Sequence, residues 1–257
     1  MRRTGPIVLA LCLVAGLLIR SAVIQADTIS SEQIRTIIQE IDKLYRSRTS
    51  HGTMEMEIIT PHWQRTLTME FWSEGMDKTL IRIKSPAKER GVGTLRIKNE
   101  MWNYLPKTNK VIKVPPSMMM SSWMGSDFTN DDLVKEFSLF EDYTYESATV
   151  EHPDTSLIYI NCIPREDLPI VWGNIVIAAR RSDHLPVWQK YYDEKGTVMR
   201  VLEYSDITTF DGRIIPAVLK MIPQDKEGKT VIRYTSLDFD VDLPDGTFSL
   251  RSLRTSE

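Results

Sequence analysis

From His51-Gly52 onward the sequence alternates apolar and polar residues with a period of two, and this constrains the fold more than any other feature. Met54, Met56 and Ile58 alternate with Glu55 and Glu57, and Leu67, Met69 and Phe71 with Thr66, Thr68 and Glu70. Ile81 and Ile83 alternate with Arg82 and Lys84, and Leu95 and Ile97 with Arg96 and Lys98. Such segments are strands with one wet and one apolar face. Turn residues at Pro61, Glu74-Gly75, Ser85-Pro86 and Asn99-Glu100 leave no room for a crossover helix, so parallel pairing is excluded as the main architecture. Residues 101–105 and 110–114 form a further hairpin through Pro106-Lys107-Thr108-Asn109. Strand patterns resume at 143–150, 156–163, 172–180 and 186–192, and a turn at Asp193-Glu194-Lys195-Gly196 leads into 198–204. Segments 214–222 and 229–239 and a last short piece at Phe248-Ser249-Leu250 complete the series.

Before the strands, Ser30 and Gln33 stand at capping-box spacing, and Ile34, Ile37, Ile38, Ile41, Leu44 and Tyr45 make one helical apolar stripe. A sheet of about a dozen strands curls strongly or closes on itself. The expected fold is therefore mainly β (α+β). It is a single incomplete antiparallel β-barrel of about 10–12 strands, with the N-terminal helix and a short helical lid packed on its concave face. No linker or shift of composition interrupts residues 27–257, which read as one domain.

The alternation breaks from Pro115-Pro116 to Phe128, where Met118, Met119, Met120, Trp123 and Met124 crowd a connection that should be polar. Three consecutive methionines cannot all face one core, so the segment is a lid or cavity entrance, a partner or membrane contact, or core. A helix runs from Asp131 to about Leu139, with Thr129 or Asn130 as its cap and Asp131, Asp132 and Glu136 near its start. Gly125-Ser126-Asp127 reads as a turn, with Asp127 capping a helical start after it. Trp102 and Tyr104 share a strand face that either lines the cavity mouth or packs beneath the first helix.

The first 26 residues read as a cleaved export signal. Arg2 and Arg3 precede an apolar run from Ile7 to Ile19, with a cleavage site near Ala26. The run is shorter than the roughly 20 residues of a membrane-spanning helix. The bulky Leu9-Ala10-Leu11 before Cys12 argues against lipidation there. Of 32 basic residues, Arg2, Arg3 and Arg20 lie in this leader, so against 35 acidic residues the remainder carries about six net negative charges, ill suited to a phosphate backbone. Cys162 is then the only cysteine, and no internal disulfide forms. His51, His62, His152 and His184 stand singly, without metal-site spacing. No nucleophile elbow, phosphate loop or paired catalytic carboxylates appear. The expectation is no enzyme, cofactor or metal, and no nucleic-acid partner.

The run RIKNEMWNYLPKTNKVIKVPPSMMMSSWMGSDFTNDDL, preceded by Lys88-Glu89-Arg90-Gly91-Val92-Gly93-Thr94, resembles the outer-membrane lipoprotein-sorting protein family. This is the broader LolA-like group of periplasmic carriers and acceptors. The Met-Trp-x-Tyr-Leu-Pro hairpin and the Trp-Met-Gly-Ser-Asp-Phe loop carry the motif-level match, within Lys88 to Leu133. The resemblance implies an unclosed barrel whose concave face holds acyl chains beneath a helical lid in the periplasm, without chemistry. It does not choose among Arg65, Arg82 and Arg96 for the arginine that latches the carriers' lid. The expected function is a monomeric periplasmic chaperone that shields the acyl chains of a lipoprotein or lipid and delivers them toward the outer membrane. An inner-membrane transporter and an outer-membrane acceptor are its expected partners. The alternative is a non-catalytic scaffold docking to an inner-membrane exporter through the Met/Trp-rich loop. Candidate cavity and lid residues are Met54, Met56, Ile58, Leu67, Met69, Phe71, Ile81, Ile83, Leu95, Ile97, Trp102, Tyr104, Met118, Met119, Met120, Trp123, Met124 and Phe128.

Overall fold

A computed structural model describes residues 29–134, 139–166, 168 and 170–254. The export-signal reading and the middle of the expected helix after Asp131 lie outside them. Helix α1 (Ser31–Asp42) begins on a complete capping box. The Ser30 hydroxyl accepts from the Gln33 amide at 3.2 Å, and the Ser30 amide donates to the Gln33 side chain at 2.9 Å. The helix buries Ile34, Ile37, Ile38 and Ile41 on one stripe, each worth roughly 1.5–3 kcal/mol relative to exposure.

Six strands come next: β1 (Thr49–Ile59), β2 (Gln64–Glu74), β3 (Lys78–Ser85), β4 (Gly93–Ile97), β5 (Glu100–Leu105) and β6 (Lys110–Lys113). After the interruption come helical turns α2 (Asn130–Val134) and α3 (Leu139–Asp142). Then come β7 (Tyr143–Ser147), β8 (Leu157–Pro164), β9 (Asn174–Arg180), β10 (Pro186–Tyr192), β11 (Val198–Phe210), β12 (Arg213–Pro223) and β13 (Lys229–Phe239). A short helix α4 (Leu250–Arg254) closes the series, where the sequence suggested a last strand around Phe248-Ser249-Leu250.

The thirteen strands among the described residues form one antiparallel sheet in the order β6-β5-β4-β3-β2-β1-β13-β12-β11-β10-β9-β8-β7. Every neighbour pair is consecutive in sequence except β1 with β13, so two meanders are welded along one seam. The sheet stays open, with β6 and β7 as free edges. The expectation of roughly a dozen antiparallel strands falling short of a closed barrel holds, and the count is one above the expected range.

Three apolar clusters hold the sheet. On the inner face α1 packs with Phe128 and Leu139 against Ile158, Ile160, Ile175, Ile177, Tyr191, Leu202 and Met221. On the same face of the first meander, Met54, Met56, Ile58, Leu67, Met69, Ile81, Ile83 and Met101 gather around Trp123. The outer face carries the third, in which Leu80, Leu95 and Tyr104 receive Leu253 of α4. Gly93 makes this docking possible. A Cβ there would stand 2.8 Å from Leu253 Cδ1.

Candidate functional site

The connection between β6 and α2 folds back over the inner face and is fastened by its own polar groups. Trp123 is 3% exposed and its Nε1 donates to Thr94 Oγ1 at 3.1 Å, so the indole of the loop is sunk into the sheet. The Trp123 amide donates to Phe128 O at 2.8 Å and the Ser126 hydroxyl to Trp123 O at 2.7 Å, closing a tight lobe with Met124 and Gly125 at positive φ. The Asp131 amide bonds Met119 O at 2.7 Å, and the Asn130 side-chain amide bonds Met118 O at 2.9 Å. Thr129 and Asp132 cap α2 reciprocally, at 3.1 and 2.7 Å.

Beyond the Trp123–Thr94 bond, three further ties bind this cap to the sheet among the described residues. The Asp132 carboxylate receives both terminal nitrogens of Arg200, at 2.6 and 2.7 Å, with both side chains under a tenth exposed. Arg200 lies against the rings of Trp172 and Tyr191, 4.4 and 4.3 Å from their centroids. Burial works against the guanidinium charge, but the carboxylate of Asp132 outweighs it and holds the group more basic than usual. Asp127 does not cap a helix: it accepts from Thr230 Oγ1 at 2.8 Å, its amide donates back at 2.9 Å, and Lys226 lies 2.8 Å away. Arg65 donates to Met124 O. Arg82 instead bonds Ser252 O at 2.8 Å, and Arg96 lies at the rim. The bidentate tie thus comes from Arg200, outside the three arginines considered.

Beneath the cap, α1, α2 and strands β10 to β13 line a partly open cavity of about 130 Å³. Leu202, Leu219, Met221 and Ile232 line it, with the rings of Tyr191, Tyr204 and Tyr234. A second cavity of about 60 Å³ shares Tyr45, Arg46, Phe128, Leu133, Ile232 and Tyr234 with it and adds Met54, Phe71, Ser73, Thr79, Ile81 and Trp123. Tyr45 stacks on Tyr234 at 4.9 Å and donates to Pro216 O at 2.7 Å. Burial pushes the Tyr234 phenol up to about 12 and the Asp42 carboxyl up to about 7, and brings the Arg46 guanidinium down to about 10. Burial thus penalises charge in these walls, although Arg46 stays cationic at neutral pH. Outside the cap, a groove of about 630 Å³ runs between the free edges, from Lys113 and Val114 across Met119 and Met120 to Glu141, Asp142, Ile170 and Val171.

The eighteen candidate residues separate into groups. Met54, Phe71, Ile81, Trp123 and Phe128 line the cavities. Met56, Ile58, Leu67, Met69 and Ile83 fill the inner face with side-chain packing. Leu95, Ile97, Trp102 and Tyr104 lie on the outer face around Leu253, neither at the cavity mouth nor beneath α1. Register explains this correction: Ile81 pairs with Thr94 and Thr79 with Arg96, so the polar residues of β4 face inward. Met119 and Met124 are half-buried, whereas Met118 and Met120 are 51% and 41% exposed. The walls from β11 to β13 were missed, although Leu202/Tyr204, Leu219/Met221 and Ile232/Tyr234 each keep the period of two.

A family model described as "-like: Uncharacterized protein" matches residues 75–255. No curated protein matches the chain. Among solved structures, a DUF1329 family protein from Desulfovibrio piger is 23% identical, with 87% of this chain and 98% of that one covered and a TM-score of 0.78. An outer membrane lipoprotein-sorting protein domain from Vibrio parahaemolyticus, described as putative, is 21% identical over 88% and 100% of the two chains, with a TM-score of 0.75. A LolA superfamily protein from Nitrosomonas europaea is 17% identical over 87% and 99%, with a TM-score of 0.71. The chain therefore belongs to the family described by the model over residues 75–255, and its fold is the LolA-like fold implied by the resemblance at Lys88 to Leu133.

Proposed function

We propose that this protein is a periplasmic carrier that holds the acyl chains of a lipoprotein or lipid and hands them toward the outer membrane, performing no chemistry. The observation that carries the reading is the apolar cavity beneath a cap fastened mainly by polar ties. Each methylene moved from water into such a space contributes about 0.8 kcal/mol, so a partly buried chain binds without polar recognition. Ligand sites usually enclose about 300–1,000 Å³, well above the 130 and 60 Å³ found here. Loading on this reading displaces the cap. Its polar ties can be exchanged for water, while Phe128 and Leu133 give up their place to the chain. The likeness to lipoprotein-sorting and LolA superfamily proteins supports the reading at the level of fold.

Native mass spectrometry of protein purified from its own periplasm is expected to find bound lipid or lipoprotein, and fluorescent acyl probes are expected to bind the emptied protein. A protein that is empty when isolated and takes up no probe sinks the proposal.

The exposed Met118 and Met120 favour a second reading, a scaffold docking to an inner-membrane exporter. Replacing both by serine separates the two. Lost acyl binding with docking retained supports the carrier, and the opposite pattern supports the scaffold.

A further inference from the structure

Ser50 Oγ, Ser73 Oγ, Thr79 Oγ1 and Arg96 Nη1 are buried side-chain atoms without a hydrogen-bond partner among the described residues. Strand register makes them neighbours: Ser50 opposes Ser73, Ser73 opposes Thr79, and Thr79 opposes Arg96. They form one row across the inner face of β1 to β4, about 14 Å long at the usual strand spacing. All four residues are less than a tenth exposed. Ser73 and Thr79 line the smaller cavity, and Arg96 lines the groove between the free edges, so the row leads from the interior to the outside.

Native interiors seldom leave buried polar groups unpaired, and four in register point to one shared occupant. Three hydroxyls and a guanidinium together suit an oxygen-rich acceptor, and phosphate matches both donor types. Arg46 borders the same cavity and repels Arg96 electrostatically, which adds to the pull on an anion. Asp77, Glu141 and Asp142 on the groove wall would repel a purely anionic molecule and attract a cation placed just beyond the phosphate.

Building on the carrier reading, we infer that the row is a head-group subsite for a zwitterionic glycerophospholipid. The phosphate sits at Arg96 and Thr79, the glycerol and ester oxygens lie along Ser73 and Ser50, and the ammonium faces the carboxylates of the groove. The acyl chains run toward Leu202, Leu219 and Ile232. This narrows the cargo, because the diacylglyceryl group of a lipoprotein carries no phosphate.

The test compares the binding of dipalmitoyl phosphatidylethanolamine and dipalmitoylglycerol, which share their chains and differ in the head. Wild-type protein is expected to prefer the phospholipid by about tenfold or more, the effect of one or two charge-assisted hydrogen bonds. Arg96→Gln, and separately Ser73→Ala with Thr79→Val, are expected to cut that preference to about threefold or less; Arg96→Gln does so by weakening the phospholipid alone, whereas loss of the Ser73 hydroxyl also weakens dipalmitoylglycerol, which shares the glycerol and ester oxygens. The double variant is also expected to melt at a higher temperature when empty, because it removes hydroxyls that nothing satisfies. Equal affinity of wild type for the two lipids, or a preference undiminished in the variants, overturns the subsite and leaves the carrier reading intact. Binding of neither lipid overturns both. Inorganic phosphate that raises the melting temperature of wild type but not of the variants, with no lipid bound, overturns the lipid assignment in favour of a free anion.

Discussion

Asp42 shows how one carboxylate serves both α1 and α3. It accepts the Phe140 amide at 2.9 Å while lining the apolar cavity. Burial raises its pKa from 3.8 to about 7, opposed by the Phe140 and Leu139 amides and by Arg46. A carboxyl raised in the folded state keeps its proton there after the unfolded chain has lost it. Its contribution is complete below about pH 4 and fades as pH rises toward 7. Asp42→Asn keeps an acceptor for Phe140 and removes the titration. Urea unfolding across this range is expected to lose up to about 1.4 kcal/mol of slope per pH unit relative to wild type. Arg200 is governed by pairing. Arg200→Met strands a buried Asp132 and is expected to cost about 3–5 kcal/mol, whereas adding Asp132→Leu recovers only part of it, because that change also removes the acceptor of the Thr129 amide. A double-mutant cycle by denaturant unfolding measures both. Little in the neighbourhood of Arg200 singles it out, because a positive charge on a strand usually faces water. Its partner is 68 residues away.

At the scale of elements, local patterns were readable and faces were not always so. The capping box of α1, the strands β1 to β3 and the Asp193 turn are all set by neighbouring residues. The Asp193 carboxylate accepts the Lys195 and Thr197 amides at 2.9 and 2.8 Å, with Gly196 at positive φ. Strand β4 misled because both of its faces are buried: Leu95 and Ile97 look inward by alternation, yet they pack beneath α4 while Thr94 receives Trp123. The cover comes from the distant Leu253 and Phe248. Truncation by Leu253→Ala is expected to cost about 2–5 kcal/mol in denaturant unfolding, the range for a fully buried leucine. The cap was legible as a break in period, but its fastening to Thr230 and Arg200 depends on strands far along the chain.

Across the whole molecule, the two meanders differ in what they enclose. The first is packed largely by methionine, leucine and isoleucine side chains, and the second leaves the cavity beneath α1. The seam of β1 with β13 joins them. Every other strand pair closes between sequence neighbours, whereas this one brings together segments separated by about 170 residues, at a loop-closure cost of about 5 kcal/mol when nothing intervening is ordered. A ribosome delivers β1 about 170 residues ahead of β13. Until β13 is made, then, an early strand of eleven residues has an unclaimed backbone edge, Thr49–Ile59, able to pair with any passing strand. Correct assembly therefore depends on keeping that edge unoccupied until its own partner is made, which places the hazard in the order of events and outside the finished architecture.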